Sequence, residues 1–156
     1  HTQRLHGFCN LIQTYFPAIR LLEPVKSYDD ALTIHRVLSD AWITHPDLTG
    51  VYNIGAGNDG LIEWVSCINP MTRPIMIIHE LLSTSRAALE AGLIDAVIDQ
   101  KPNEAIGEAL RIMRLMVDVQ PLVQDTHLIT PAIYLCENLP PVSTKFFTPS
   151  NRIISQ

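Results

Sequence analysis

The residues able to do chemistry lie in short groups, each directly after an apolar run. Asn53 and Asn58 flank a glycine-rich stretch after Val51–Ile54, His79-Glu80 follow Ile75-Met76-Ile77-Ile78, and Asp99-Gln100 follow Ala96-Val97-Ile98. Amides present a donor and an acceptor in a fixed fork and carboxylates accept at two oxygens, so such a set suits a ligand ringed with hydroxyls. Gly55-Ala56-Gly57-Asn58-Asp59-Gly60 is also a literal GxGxxG. In a dinucleotide site its backbone N–H groups would hold a pyrophosphate and Glu80 a ribose hydroxyl. Against that, the motif follows an earlier βα unit, no hydride-transfer constellation lies nearby, and a tight turn after a parallel strand needs glycine anyway. His79 next to Glu80 suggests a general base, yet neighbours on an extended strand face opposite sides. His35 and His45 read as structural or solvated. No nucleophile elbow, Walker loop, HExxH or paired-cysteine motif occurs. No catalytic residue, metal ligand or cofactor is assigned, and the chain reads as a binding protein rather than an enzyme.

The elements that must position these groups alternate. Leu5, Phe8, Cys9 and Ile12 form a helical stripe ended by Pro17, and Ile19–Leu22 reads as a short strand. Ser27, Asp29 and Asp30 give an acidic start to a helix carrying Ile34, Val37, Leu38, Ala41 and Trp42. Val51–Ile54 is a strand and Leu61–Ile68 a helix. Ile75–Ile78, apolar without alternation, is a strand buried on both faces. Ser83 or Thr84 caps the next helix, Gly92 closes it, and Ala96–Ile98 is another buried strand. Pro102 opens a helix with a stripe of Ile106, Ala109, Leu110 and Met113, and Ile133–Leu135 is a last strand. Strands alternating with helices imply βαβ units and an α/β fold: an open parallel sheet with helices on both faces. Ligands of such sheets bind beyond the carboxyl ends of the strands, where the polar groups lie.

The 156 residues suit one domain with its own core, at 47% hydrophobic and 17% charged. A net charge of -5 without a basic run argues against a nucleic-acid surface on this piece. Proline or charge interrupts every apolar stretch before it could span a bilayer. Cys9, Cys67 and Cys136 are widely spaced and odd in number, which reads as reduced thiols in a cytoplasmic protein. The ligand-binding domain is expected over 1–140, with a C-terminal tail over 141–156.

Several segments, in order, resemble the periplasmic-binding-protein-like sugar-binding domain of LacI-type transcription regulators. They are Arg4-Leu5-His6-Gly7-Phe8, His45 to Tyr52, Ile77-Ile78-His79-Glu80, Ala88 to Pro102 and Ile133 to Asn138. The pattern from Leu89 to Pro102 is the most specific. The resemblance implies two flavodoxin-like lobes with the ligand between them. This chain would hold most of the C-terminal lobe, with 102–117 returning toward an absent N-terminal lobe and DNA contacted only by an absent headpiece. It also implies a sugar-like effector, a homodimer and no membrane partner. Arg4 matches an arginine that reaches ligand hydroxyls, Glu80 stands where the family has the aspartate of a Phe-Asp pair, and Gln100 matches a glutamine near the hinge. Asn53 or Asn58 supplies a further contact, and Tyr28 corresponds to an aromatic stacking on the sugar. Plain structural roles compete: a surface arginine, a helix-start carboxylate, a turn glutamine, a capping asparagine. The function expected is effector binding for a regulator. The alternatives are a periplasmic sugar-binding protein of a transport system and an NAD-dependent enzyme using Gly55–Gly60.

Overall fold

The computed structural model describes residues 2–119 and 128–142. Its elements in order are α1 (Thr2–Tyr15), α2 (Ala31–Thr44), β1 (Gly50–Tyr52), α3 (Asn58–Ser66), β2 (Ile75–His79), α4 (Ser83–Glu90), β3 (Ala96–Asp99), α5 (Pro102–Val117) and β4 (Ala132–Tyr134), then a 3-10 turn at Cys136–Asn138. The sheet runs β1-β2-β3-β4. The first three strands are parallel, with Val51 opposite Met76 and Ile78 opposite Val97. β4 departs from the expected parallel sheet: it pairs antiparallel with β3, Val97 opposite Tyr134, as an edge strand on an otherwise parallel sheet.

Alternation along the strands decides which helix covers which face. Met76 and Ile78 of β2 and Val97 of β3 meet Ile34 and Leu38 of α2, Leu61, Trp64 and Val65 of α3, and Ala88 and Leu89 of α4 in one buried cluster. Trp42 closes its rim edge-on to Trp64, ring centroids 5.9 Å apart. On the opposite face Phe8 of α1 lies 4.8 Å from the Tyr52 ring, so helices flank both sides of the sheet. The start of β2 is pinned by Asp95, which accepts the Met76 N–H at 2.7 Å and both terminal nitrogens of Arg73 at 2.7 and 2.8 Å.

Local chemistry sets the helix starts. The Asp30 carboxylate accepts the Thr33 N–H at 2.7 Å and begins α2. α3 starts at Asn58, three residues before the expected Leu61, because Gly57 turns the chain with φ 77. At Gly60 a Cβ would sit 1.9 Å from the Ala31 carbonyl oxygen, so only glycine lets α3 lie against the start of α2. Neither Ser83 nor Thr84 caps α4. The Ser85 hydroxyl does that work, accepting the Leu82 N–H at 2.7 Å and donating to the Glu80 carbonyl at 2.8 Å.

The strand expected at Ile19–Leu22 does not form. Arg20 pairs with Asp47 at 2.8 Å before β1, and Asp29 accepts the Ala56 N–H at 2.8 Å beyond it, so the intervening stretch is anchored to the segments on either side of β1. No backbone hydrogen bond joins the two among the described residues, and an apolar run without a ladder partner is not a strand. α5 buries none of its residues, and Ile106, Leu110 and Met113 are 60%, 60% and 61% exposed. No helix of the described residues is long and apolar enough to cross a membrane. The expected tail beyond residue 142 lies outside the described residues.

Candidate functional site

Three of the expected residues converge at the carboxyl edge of the sheet. Arg4 reaches over from the first turn of α1, Glu80 directly follows β2, and Gln100 directly follows β3. Arg4 donates to the Gln100 side-chain oxygen, and the Gln100 amide nitrogen donates to a Glu80 carboxylate oxygen. The second guanidinium nitrogen of Arg4 donates to the Ile54 carbonyl at 3.2 Å, beyond β1. One cation, one amide and one anion thus form a chain across the ends of three strands, each half-buried.

The backbone beneath this chain is held in unusual conformations. Glu80 has φ 71 and Lys101 φ 52, the left-handed region that costs an L-residue roughly 1–2 kcal/mol. Glu80 is locked there from both sides: its N–H donates to the Ile98 carbonyl at 3.0 Å, and its carbonyl accepts the hydroxyl of the fully buried Ser85. Strain of this kind concentrates where side chains must be aimed.

The two asparagines form a second, separate network. Asn53 donates to the Asn58 side-chain oxygen at 2.8 Å and to the Ala56 carbonyl at 3.2 Å, while Asn58, itself buried, donates to the His79 carbonyl at 2.9 Å. Their amides tie the glycine turn to the end of β2. Tyr28 stands apart from both networks on the loop before α2, with φ 53 and 85% of its surface exposed. Asp29 beside it occupies the Ala56 N–H, at the place where the dinucleotide reading would put a phosphate. Gly57 and Gly60 are accounted for by the backbone of Asp29 and Ala31, against which any Cβ would press.

A buried pair under Arg4 was not singled out from the sequence as a unit. The Tyr52 hydroxyl lies 2.8 Å from His79 Nε2, with the Phe8 ring on Tyr52. Burial pushes the His79 imidazole below the ordinary histidine range. The Arg4 charge pushes it further and Glu80 partly opposes. Burial raises the Tyr52 phenol, against the pull of Arg4. The signal was present in the pattern: Tyr52 is opposite Ile77, so His79 lies two residues on, with its side chain on the same face.

Chemically, the Arg4–Gln100–Glu80 chain offers donors and acceptors in planar forks beside each other, with opposite charges already balanced. It suits a neutral, hydroxyl-rich molecule better than an anion or a cation. Among the described residues no group of His, Cys, Asp and Glu is arranged to hold a metal ion.

No protein-family description matches the chain, and no curated protein matches it in sequence. Solved structures do. The chain is similar to a glucose-galactose binding protein from Geobacillus stearothermophilus, at 20% identity and a TM-score of 0.75 over 88% of this chain and 49% of that one. It is similar to an ABC transporter solute-binding protein from Agrobacterium vitis bound with α-D-tagatopyranose, at 22% identity and TM-score 0.76 over 88% and 46%. A carbohydrate transporter solute-binding protein from Agrobacterium radiobacter in complex with D-arabinose gives 15% identity and TM-score 0.77, again over 88% and 46%. The chain therefore spans about half the length of these proteins, and its fold is that of a periplasmic-binding-protein-like lobe.

Proposed function

We propose that this chain is one lobe of a two-lobed receptor for a neutral sugar, binding it at the carboxyl edge of the sheet through Arg4, Glu80 and Gln100. The observation that carries this reading is the hydrogen-bonded chain of these three residues, each on a different element, with Glu80 held in a strained conformation to join it. A sugar hydroxyl donates and accepts at once, so it can insert into such a chain without leaving either partner unpaired. Tyr28, exposed on the loop before α2, is the aromatic we assign to the apolar face of the ring. Asn53 and Asn58 support the turn beside the site. The exposed stripe of α5 and the half-length match both fit a second lobe that closes over the ligand. Binding needs no bond to be made or broken.

Among receptors of this kind, a solute-binding protein serving transport has the support of the similar structures, whose own ligands are sugars. A second reading, the effector domain of a LacI-type regulator acting as a cytoplasmic homodimer, has the support of the ordered sequence motifs from Arg4 to Asn138. Under it, sugar-driven lobe closure would alter operator binding through a DNA-binding headpiece. The sequence upstream of His1 separates them: a secretory leader supports the first and a helix-turn-helix the second. For the shared claim, calorimetric titration of the full-length protein with neutral pentoses and hexoses, and with NAD, is the test. Sugar binding weakened at least about tenfold by Glu80→Ala and by Gln100→Ala, with little change in thermal unfolding, is expected from the loss of one charge-assisted or amide contact. NAD binding without sugar binding would overturn it.

A further inference from the structure

His79 is an expensive residue for its position. It is 5% exposed, its Nε2 meets the Tyr52 hydroxyl, and its Nδ1 is buried with no hydrogen-bond partner among the described residues. A ring that simply filled space on this face would be apolar. Four neighbours bear on this residue. Tyr52 faces it from β1, Asn58 of α3 binds its carbonyl, Arg4 of α1 acts on it as a positive charge, and Glu80 acts as a negative one from the next residue. Gln100 belongs to the same cluster through Arg4.

We propose that His79 is a proton-controlled positioning residue for the candidate site: neutral, it lets Arg4 stay in line with Gln100 and Glu80, and protonated, it drives Arg4 out of that line. Protonation would place a second cation beside Arg4 and make donors of both ring nitrogens, one of them the buried Nδ1, where no acceptor stands among the described residues. Of the two cations, Arg4 is the one free to move, since it sits on the first turn of α1 while His79 is enclosed within the sheet. Losing Arg4 breaks the chain at its cationic end and leaves the Gln100 side-chain oxygen without its donor. Ligand affinity then falls as the solution turns acidic, a direction that suits release in an acidified surrounding. The consequence for ligand rests on the sugar-binding reading. The coupling of His79 to Arg4 does not.

Two measurements on the full-length protein keep these apart. In the first, the ligand-free protein is titrated from about pH 8 to about pH 5 while the His79 imidazole and the Arg4 side-chain N–H are followed by NMR. His79 should protonate later than an ordinary histidine, the Arg4 signal should shift in step with it, and Arg4→Met should move the His79 titration back toward the ordinary range. An Arg4 signal indifferent to His79, or a His79 titration unmoved by Arg4→Met, overturns the proposal whatever the protein binds. In the second, affinity for D-arabinose and D-galactose is measured across the same range. A loss approaching tenfold per pH unit is expected below the His79 midpoint, as for a single linked proton. His79→Phe should hold affinity near its neutral-pH value and flatten the profile. An equally steep profile in His79→Phe would assign the proton elsewhere and overturn the proposal. If neither sugar binds at any pH, the sugar-binding reading fails, and the first measurement still decides the coupling.

Discussion

Gly60 is the position where the structure makes the sharpest demand on sequence. A Cβ added there would lie 1.9 Å from the Ala31 carbonyl oxygen and 2.6 Å from its carbonyl carbon, against 3.4 Å where ordinary contact begins. Both atoms are backbone at the first turn of α2, so no side-chain rotation relieves the clash. The two helices must separate by roughly 1.5 Å along a well-packed seam, and overpacking of this kind costs about 1–3 kcal/mol or more. Alanine recovers only about 1 kcal/mol of helix propensity relative to glycine. The expected net result for Gly60→Ala is a loss of about 2 kcal/mol, or several degrees in Tm for a domain of this size. Gly107→Ala is the matched control: it lies inside α5 with nothing within 4 Å of its Cβ position, so the same exchange should gain up to about 1 kcal/mol. Urea unfolding of both variants, read by tryptophan fluorescence from Trp42 and Trp64 at this seam, measures the difference. If Gly60→Ala unfolds at the same urea concentration as Gly107→Ala, the close helix contact is not what the glycine serves, and its place in the GxGxxG would again need a ligand to explain it.

At Glu80 the left-handed backbone should reverse the usual preference between alanine and glycine. Glu80→Gly should be more stable than Glu80→Ala by about 1 kcal/mol, while both lose sugar affinity alike; a more stable alanine variant would show that residue 80 is unstrained. Asp95→Asn should cost about 1–2 kcal/mol at neutral pH by weakening the Arg73 pair, and leave the binding edge untouched. The hydrogen bonds from Arg73 hold the Asp95 carboxyl below the ordinary aspartate range against some burial. Its stabilisation is therefore complete above that range and fades as pH falls through the lowered value. Unfolding curves of the two proteins should converge in strong acid, and a gap that stayed constant with pH would rule out the charge as its source.

Much of this fold was legible because burial leaves a periodic trace. The unbroken run Ile75–Ile78 read as a strand covered on both sides, and Met76 and Ile78 indeed meet the helices of one face while Ile77 turns to the other. Gln100 and Glu80 were singled out because ligands of parallel sheets lie beyond the carboxyl ends of the strands, and the structure places both residues there. What escaped the sequence depends on partners far along the chain. Ile19–Leu22 has strand composition, but no neighbour of the described residues offers it a ladder. The antiparallel run of β4 and the Ser85 hydroxyl beneath Glu80 follow from how segments meet, which composition does not encode. The two internal hydrogen bonds of the buried Asn58, to Asn53 and to the His79 carbonyl, likewise depend on neighbours that the sequence order does not place beside it.

The two polar networks also explain why the glycine motif and the carboxyl-edge cluster lie so near each other while doing different work. Asn58 binds the His79 carbonyl, and Ser85 binds the carbonyl of the very next residue, Glu80. The end of β2 is thereby fixed by a side chain from α3 on one peptide and by one from α4 on the next. With both carbonyls held, the intervening backbone can sustain the left-handed turn that brings the Glu80 carboxylate to Gln100. The glycines serve this indirectly: by letting α3 settle against α2, Gly57 and Gly60 set the height of Asn58, and Asn58 sets the end of β2. A perturbation at the glycine seam should therefore reach the carboxyl edge of the sheet through a path of backbone carbonyls.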